Sequence, residues 1–103
     1  MKSNQTMKAA AIQMEARVAD IYYNISQAGD LAEEALKSGA RIVALPEFFT
    51  TQIVLDDRLF SASLNKQNNP ALEMLKSLSS RYEATIGGSY LERDELSGDV
   101  FNS

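Results

Sequence analysis

Glu47 is the residue in this sequence best placed to do chemistry. It follows a short apolar run, Arg41 to Leu45, that Pro46 ends, and two aromatic residues, Phe48 and Phe49, come directly after it. If the run is a parallel strand, Glu47 lies one residue past its carboxyl end, where open α/β sheets form their ligand crevice. A carboxylate held between a proline and large aromatic rings is expected to be partly buried and to face a cleft. Burial disfavours the charged form of a carboxylate, which suits a general base that works near neutral pH. Position alone favours a solvated loop glutamate, so the assignment needs support from the rest of the chain. Phe48 and Phe49 are expected to pack in the core or at an interface before serving as pocket walls.

The chain has no cysteine and no histidine. That removes disulfides, thiolate metal sites, a cysteine nucleophile within these 103 residues, Ser-His-Asp triads and the usual zinc ligand sets. Neither cofactor nor metal is expected. Carboxylates, lysines and hydroxyls remain, and Lys8, Lys37, Lys66 and Lys76 read as solvated surface charges. The Gly87-Gly88 pair lacks the spacing of a phosphate-binding loop and is expected to mark close backbone approach or a twist in a strand.

The elements that would position Glu47 can be read from hydrophobic period and from caps. Met7 to Met14 is a short apolar run, expected to be a buried strand. Ile21, Ile25, Ala28, Leu31, Ala32, Ala35 and Leu36 then fall on one helical stripe, with Asp20 as N-cap and Gly39 as a left-handed stop. Gly29 within that helix costs about 1 kcal/mol relative to alanine. Strand, helix and the Arg41–Leu45 run in succession predict a right-handed βαβ unit. Residues 50–68 predict only an irregular helical turn or covering loop using Ile53, Val54, Leu55, Leu59 and Phe60. Asn69 and Pro70 then open a second helix through Leu72, Leu75, Leu78 and Tyr82. Ala84 to Glu92 is expected to be one further strand, Leu96 to Asp99 a turn, and Val100 to Asn102 the start of another strand. The runs at 8–14, 41–45 and 84–92 are expected to share one sheet in a three-layer-like α/β arrangement.

With 45% hydrophobic residues and a net charge of -4, the composition fits one small acidic domain with a polar tail at 1–6. The charge is spread without a basic cluster, which argues against nucleic acid as a partner. No stretch is apolar and long enough for a signal peptide or a membrane span, so the expectation is a cytoplasmic protein without a membrane partner.

Several separated motifs, in order, resemble the opening of the nitrilase superfamily of carbon-nitrogen hydrolases. They are Ala11-Ile12-Gln13-Met14, Asp20 with Asn24, Glu34-Ala35 leading to Ser38-Gly39-Ala40, and Ile42-Val43-Ala44-Leu45-Pro46-Glu47. Ile86 to Arg93 and Val100 to Ser103 resemble the next two strand signatures. The resemblance implies the N-terminal βαβαβ part of an αββα sandwich that bears a Glu-Lys-Cys catalytic set. In that scheme a cysteine attacks an amide or nitrile carbon and forms a thioester or thioimidate. The glutamate is general base for the thiol and then for water, and the lysine stabilises the tetrahedral intermediate. Only the glutamate finds its match here, at Glu47; the lysine and cysteine positions would fall beyond Ser103.

The resemblance therefore implies a partial domain, inactive alone, whose complete enzyme takes a small amide before a nitrile. The sheet edge and apolar face that such a part leaves uncovered predict that the chain self-associates, as a homo-oligomer, or is stable only beside another polypeptide. Two other readings are a non-catalytic assembly module that keeps Glu47 idle, and a split enzyme in which another polypeptide supplies the lysine and cysteine.

Overall fold

The computed structural model describes residues 6–54 and 56–103; Leu55, expected to join the covering segment, lies outside them, as does the tail before Thr6. Three short strands, β1 (Ala9–Ala11), β2 (Ile42–Ala44) and β3 (Thr85–Gly87), form a parallel sheet in the order β1-β2-β3. The register sets Ala10 opposite Val43 and Val43 opposite Ile86. Pairing continues past the named ends, with the Ile12 N–H donating to the Ala44 carbonyl at 2.8 Å and the Leu45 N–H to the Gly87 carbonyl at 2.7 Å. Pro46 has no N–H to donate, and the ladder stops there.

Helix α1 (Ile21–Lys37) links β1 to β2, and helix α3 (Pro70–Tyr82) precedes β3, with the one-turn helix α2 (Arg58–Ser61) between β2 and α3. The stripe read from the sequence is the buried one: Ile25, Ala28, Ala32 and Leu36 pack with Val43, Leu45, Phe49, Ala71 and Leu78 into one core. Asp20 occupies the N-cap position of α1 without a capping bond from its side chain; it faces Arg17 instead, at 3.8 Å. At the other end Gly39 has φ of 102°. Its N–H donates to the Leu36 carbonyl, and the Ala40 N–H reaches back to the Ala35 carbonyl. That reciprocal pair satisfies carbonyls a helix end leaves open, and the left-handed residue between them favours glycine. Asn69 caps α3 as expected, its Oδ1 accepting from the N–H groups of Ala71 and Leu72 at 2.9 and 3.1 Å. Gly29 lies where α1 meets α3: a Cβ there would come 3.3 Å from Met74 Cγ, so its helix-propensity cost permits the close crossing.

Two expectations need correction. The residues Ala84 to Glu92 do not form one strand, because β3 ends at Gly87 and β4 (Leu91–Arg93) turns away to pair antiparallel with β5 (Val100–Asn102) in a second, two-stranded sheet. Between them Ser89 gives its carbonyl and its hydroxyl oxygen to the turn after β2, so it cannot extend the parallel ladder. The expected turn at Leu96 to Asp99 joins β4 to β5, fastened by Asp94 Oδ1, which accepts from the Leu96 and Ser97 N–H groups.

The layering also differs. Both long helices pack on the face of the parallel sheet that carries Ala10, Val43 and Ile86. The other face, with Ala9, Ala11, Ile42, Ala44, Thr85 and Gly87, is exposed. The described residues thus form two layers, and not three, because right-handed crossovers on successive neighbouring strands place their helices on the same side.

Candidate functional site

The three parallel strands end together at one edge, and a cavity of about 460 Å³ opens there. Its walls are Met14 and Ala16, from the segment leaving β1, and residues 46–49 and 52–54 of the segment that leaves β2, with Glu47 among them. Glu47 thus occupies the crevice expected for it, but it is exposed and not partly buried. The physical reason lies in its neighbours. Phe49 turns fully into the core at 1% exposure, and Phe48 is half-buried, so neither ring covers the glutamate. Two loops make the cavity wall, and they leave its mouth open.

The backbone after Glu47 is strained. Phe48 has φ of 52° and Gln52 φ of 75°, a region in which bulky side chains are uncommon. Such geometry costs about 1–3 kcal/mol per residue and persists only where its surroundings over-determine it. Here the turn is held from two sides. On one, Ser89 Oγ accepts from the Phe48 N–H at 3.0 Å and the Ser89 carbonyl from the Phe49 N–H at 3.1 Å. Gly88 lets Phe49 seat closely, since a Cβ at that position would lie 2.9 Å from Leu45 Cβ and 3.1 Å from Phe49 Cδ1. The expectation of close approach at the glycine pair therefore holds for Gly88; Gly87 has open space around it.

On the other side stands Asn24, fully buried at 0% exposure. Its Oδ1 accepts from the Arg17 N–H at 2.8 Å, while Nδ2 donates to the Arg17 carbonyl and to the Thr50 carbonyl, both at 2.7 Å. The Ala19 N–H donates to the Thr51 carbonyl at 3.1 Å, and Gln52 Nε2 to the Ala16 carbonyl at 2.8 Å. The two walls of the cavity are thereby tied to each other. Removing the Asn24 amide would leave the Arg17 N–H and the Thr50 carbonyl without a partner, at about 1–3 kcal/mol for each that stays buried, while the Arg17 carbonyl keeps the Asp20 N–H at 3.3 Å.

The lysines stand apart from this site. Lys8, Lys37, Lys66 and Lys76 are exposed, and none lines the cavity with Glu47. Lys8 sits at the opposite end of the sheet, where Nζ donates to the Ser38 carbonyl at 2.8 Å. A second cavity of about 350 Å³ shares the walls Phe48 and Val54 and is otherwise bounded by Asp56, Asp57, Leu59, Phe60, Leu91 and Val100. Among the described residues no cluster of carboxylates could hold a metal ion, and no helix is long and apolar enough to cross a membrane.

Asn24 and Ser89 are the parts of this site to which sequence reasoning gave no role. Asn24 had a usable signal, a polar residue three positions after Ile21 and four before Ala28 on an otherwise apolar stripe. Ser89 had none, because its partner lies 41 positions away.

A parallel β-α-β-α-β unit with a glutamate at its carboxyl-edge crevice is an α/β arrangement suited to an enzyme. The chain belongs to the carbon-nitrogen hydrolase family, whose model matches residues 8–103. Among solved structures, Nit3 of Saccharomyces cerevisiae, a member of branch 10 of the nitrilase superfamily, superposes with a TM-score of 0.78 at 24% identity, over 93% of this chain and 37% of that one. XC1258 of Xanthomonas campestris, a CN-hydrolase superfamily protein with an arsenic adduct in its active site, gives 0.73 at 27% identity, over 88% of this chain and 32% of its own. The fold is the N-terminal part of the nitrilase-like one, and the chain spans about a third of the length of these solved relatives. Among curated proteins none matches the chain in sequence.

Proposed function

We propose that this chain is the section of a carbon-nitrogen hydrolase that supplies the general base, Glu47, to a Glu-Lys-Cys thiol mechanism acting on small amides in preference to nitriles. The observation that supports the reading is the place of Glu47: in a chain of this family, it lines the cavity at the carboxyl edge of the parallel sheet. An exposed carboxylate on a strained, doubly anchored turn can accept a thiol proton from a nucleophile brought across the open mouth. The thiol must come from residues other than the 103 present, since the sequence has no cysteine, and among the described residues no lysine lines the cavity with Glu47 to serve the oxyanion.

On this reading the isolated chain does not turn over. General-base assistance to water is worth only about 10² to 10⁴ in rate, too little against an unactivated amide without covalent catalysis. The decisive test places residues 8–103 in the corresponding third of an active family hydrolase that provides the lysine and cysteine. The graft is expected to hydrolyse amides and to lose at least about 10²-fold in kcat on Glu47→Gln. A graft whose Glu47→Gln variant keeps full activity overturns the assignment.

A further inference from the structure

We propose that Asn24 is a positioning residue for Glu47: its side-chain amide fastens the loop that leaves β1 to the turn that carries Glu47, and thereby fixes the width of the cavity and the placement of the glutamate in it. The inference rests on Glu47 as the base, but its structural half can be tested separately.

Three features of the amide support this role. Its chemistry fits the task, since the carbonyl oxygen and the NH₂ group meet one backbone donor and two backbone acceptors that no other single side chain of similar size could satisfy together. Aspartate would keep the acceptor and lose both donors, while setting a charge against two carbonyl oxygens. The location also fits. Asn24 is in the first turn of α1, a rigid element, and its contact at Thr50 falls inside the turn whose Phe48 carbonyl accepts from the Thr51 and Gln52 N–H groups at 3.0 and 2.8 Å. A pull at Thr50 is therefore carried to Phe48 and so to the residue before it. Finally, the turn has the left-handed Phe48 to keep in place, and Ser89 restrains it only from the β3 side. Without the Asn24 tether only the Ala19–Thr51 and Gln52–Ala16 hydrogen bonds hold the segment to the opposite wall, and the stretch from Glu47 to Thr50 ahead of them can relax, which moves Glu47 relative to whatever enters the cavity. A shift near 1 Å is enough to cost about 10²-fold in rate.

Loss of stability alone would not distinguish this from an ordinary buried hydrogen bond, so the test compares Asn24→Ala and Asn24→Asp with Asn69→Ala. The last lowers stability through the cap of α3. In the 103-residue chain, amide NMR signals of residues 47–52 should shift, and their hydrogen exchange should accelerate at least about tenfold, in both Asn24 variants. The signals of β1 to β3 should hold, and Asn69→Ala should leave the turn unchanged. Should the Asn24 variants not fold, the unmutated chain still decides: nuclear Overhauser contacts from the Asn24 Nδ2 protons to Thr50 and slow exchange of those protons are required, and their absence refutes the tether. In the active graft, Asn24→Asp is expected to lower kcat on the order of 10²-fold with KM little changed. Turn signals that stay put in a destabilised Asn24→Ala chain overturn the proposal. A kcat insensitive to Asn24 while Glu47→Gln abolishes activity overturns positioning alone, and insensitivity to both overturns the general-base reading instead.

Discussion

Adding one methyl group at either of two adjacent glycines should move stability in opposite directions. At Gly88 a Cβ would stand 2.9 Å from Leu45 Cβ and 3.1 and 3.2 Å from two ring carbons of Phe49. Neither neighbour can swing aside cheaply: Leu45 Cβ is fixed to the backbone that pairs with Gly87, and Phe49 is fully buried. Overpacking of this kind costs about 1–3 kcal/mol. For a chain of this size each kcal/mol is worth about 4–8 °C in Tm, so Gly88→Ala should melt about 4–24 °C lower. At Gly87 a Cβ would meet nothing within 4 Å, and the residue sits in a strand without positive φ. There alanine mainly restricts the unfolded chain, and Gly87→Ala should gain about 0.4–1 kcal/mol. Thermal and urea denaturation followed by circular dichroism measure both. Equal melting of the two variants, or a higher Tm for Gly88→Ala, refutes the close approach of Gly88, just past β3, to Leu45 and Phe49.

Asn69→Ala removes the two capping bonds of α3 and should cost about 1 kcal/mol in urea denaturation. Acid should weaken the fold in a defined window. The Tyr82 hydroxyl, donating at 2.7 Å, is the main reason the Glu33 carboxyl titrates below its ordinary 4.5, and the Arg58 hydrogen bond brings Asp56 from 3.8 to about 2. Groups depressed in the folded state stabilise fully above their ordinary values and lose that contribution as pH falls through the folded ones. Stability should therefore decline from about pH 4.5 toward 2, with a shallower slope in Glu33→Gln, as pH-dependent urea curves would report. Finally, the open face of the parallel sheet, with Ile42 at 43% exposure, should drive self-association. Sedimentation velocity at rising concentration should show assembly that Ile42→Lys weakens; a monomer at all concentrations refutes this.

Much of the path to the site could be read from residue order. The stripe from Ile21 to Leu36, the stop at Gly39, the Asn69-Pro70 start and the apolar runs at 8–14 and 41–45 each act through neighbours within a few positions, and each stands where it was expected, as does the first part of the run at 84–92. The motif ending in Pro46-Glu47 likewise located the glutamate at a strand end. Less legible were the burial of Glu47, the division of residues 84–92 and the roles of Asn24 and Ser89. The division of residues 84–92 and the roles of Asn24 and Ser89 depend on contacts between segments 26 to 41 positions apart, Asn24 with Thr50 and Phe48 with Ser89, and the exposure of Glu47 depends on Phe49 turning into the core.

By itself the sequence determined the element types, their order, the family motifs and the absence of a thiol, because periodicity, caps and composition are local properties of the chain. Only the tertiary structure decided that both helices cover one face of the sheet, that Glu47 stands exposed at an open cavity, and that a buried asparagine and a strand-end serine hold its turn. Those outcomes follow from which backbone groups find partners once distant segments meet, and a buried polar group can be satisfied by any segment that reaches it.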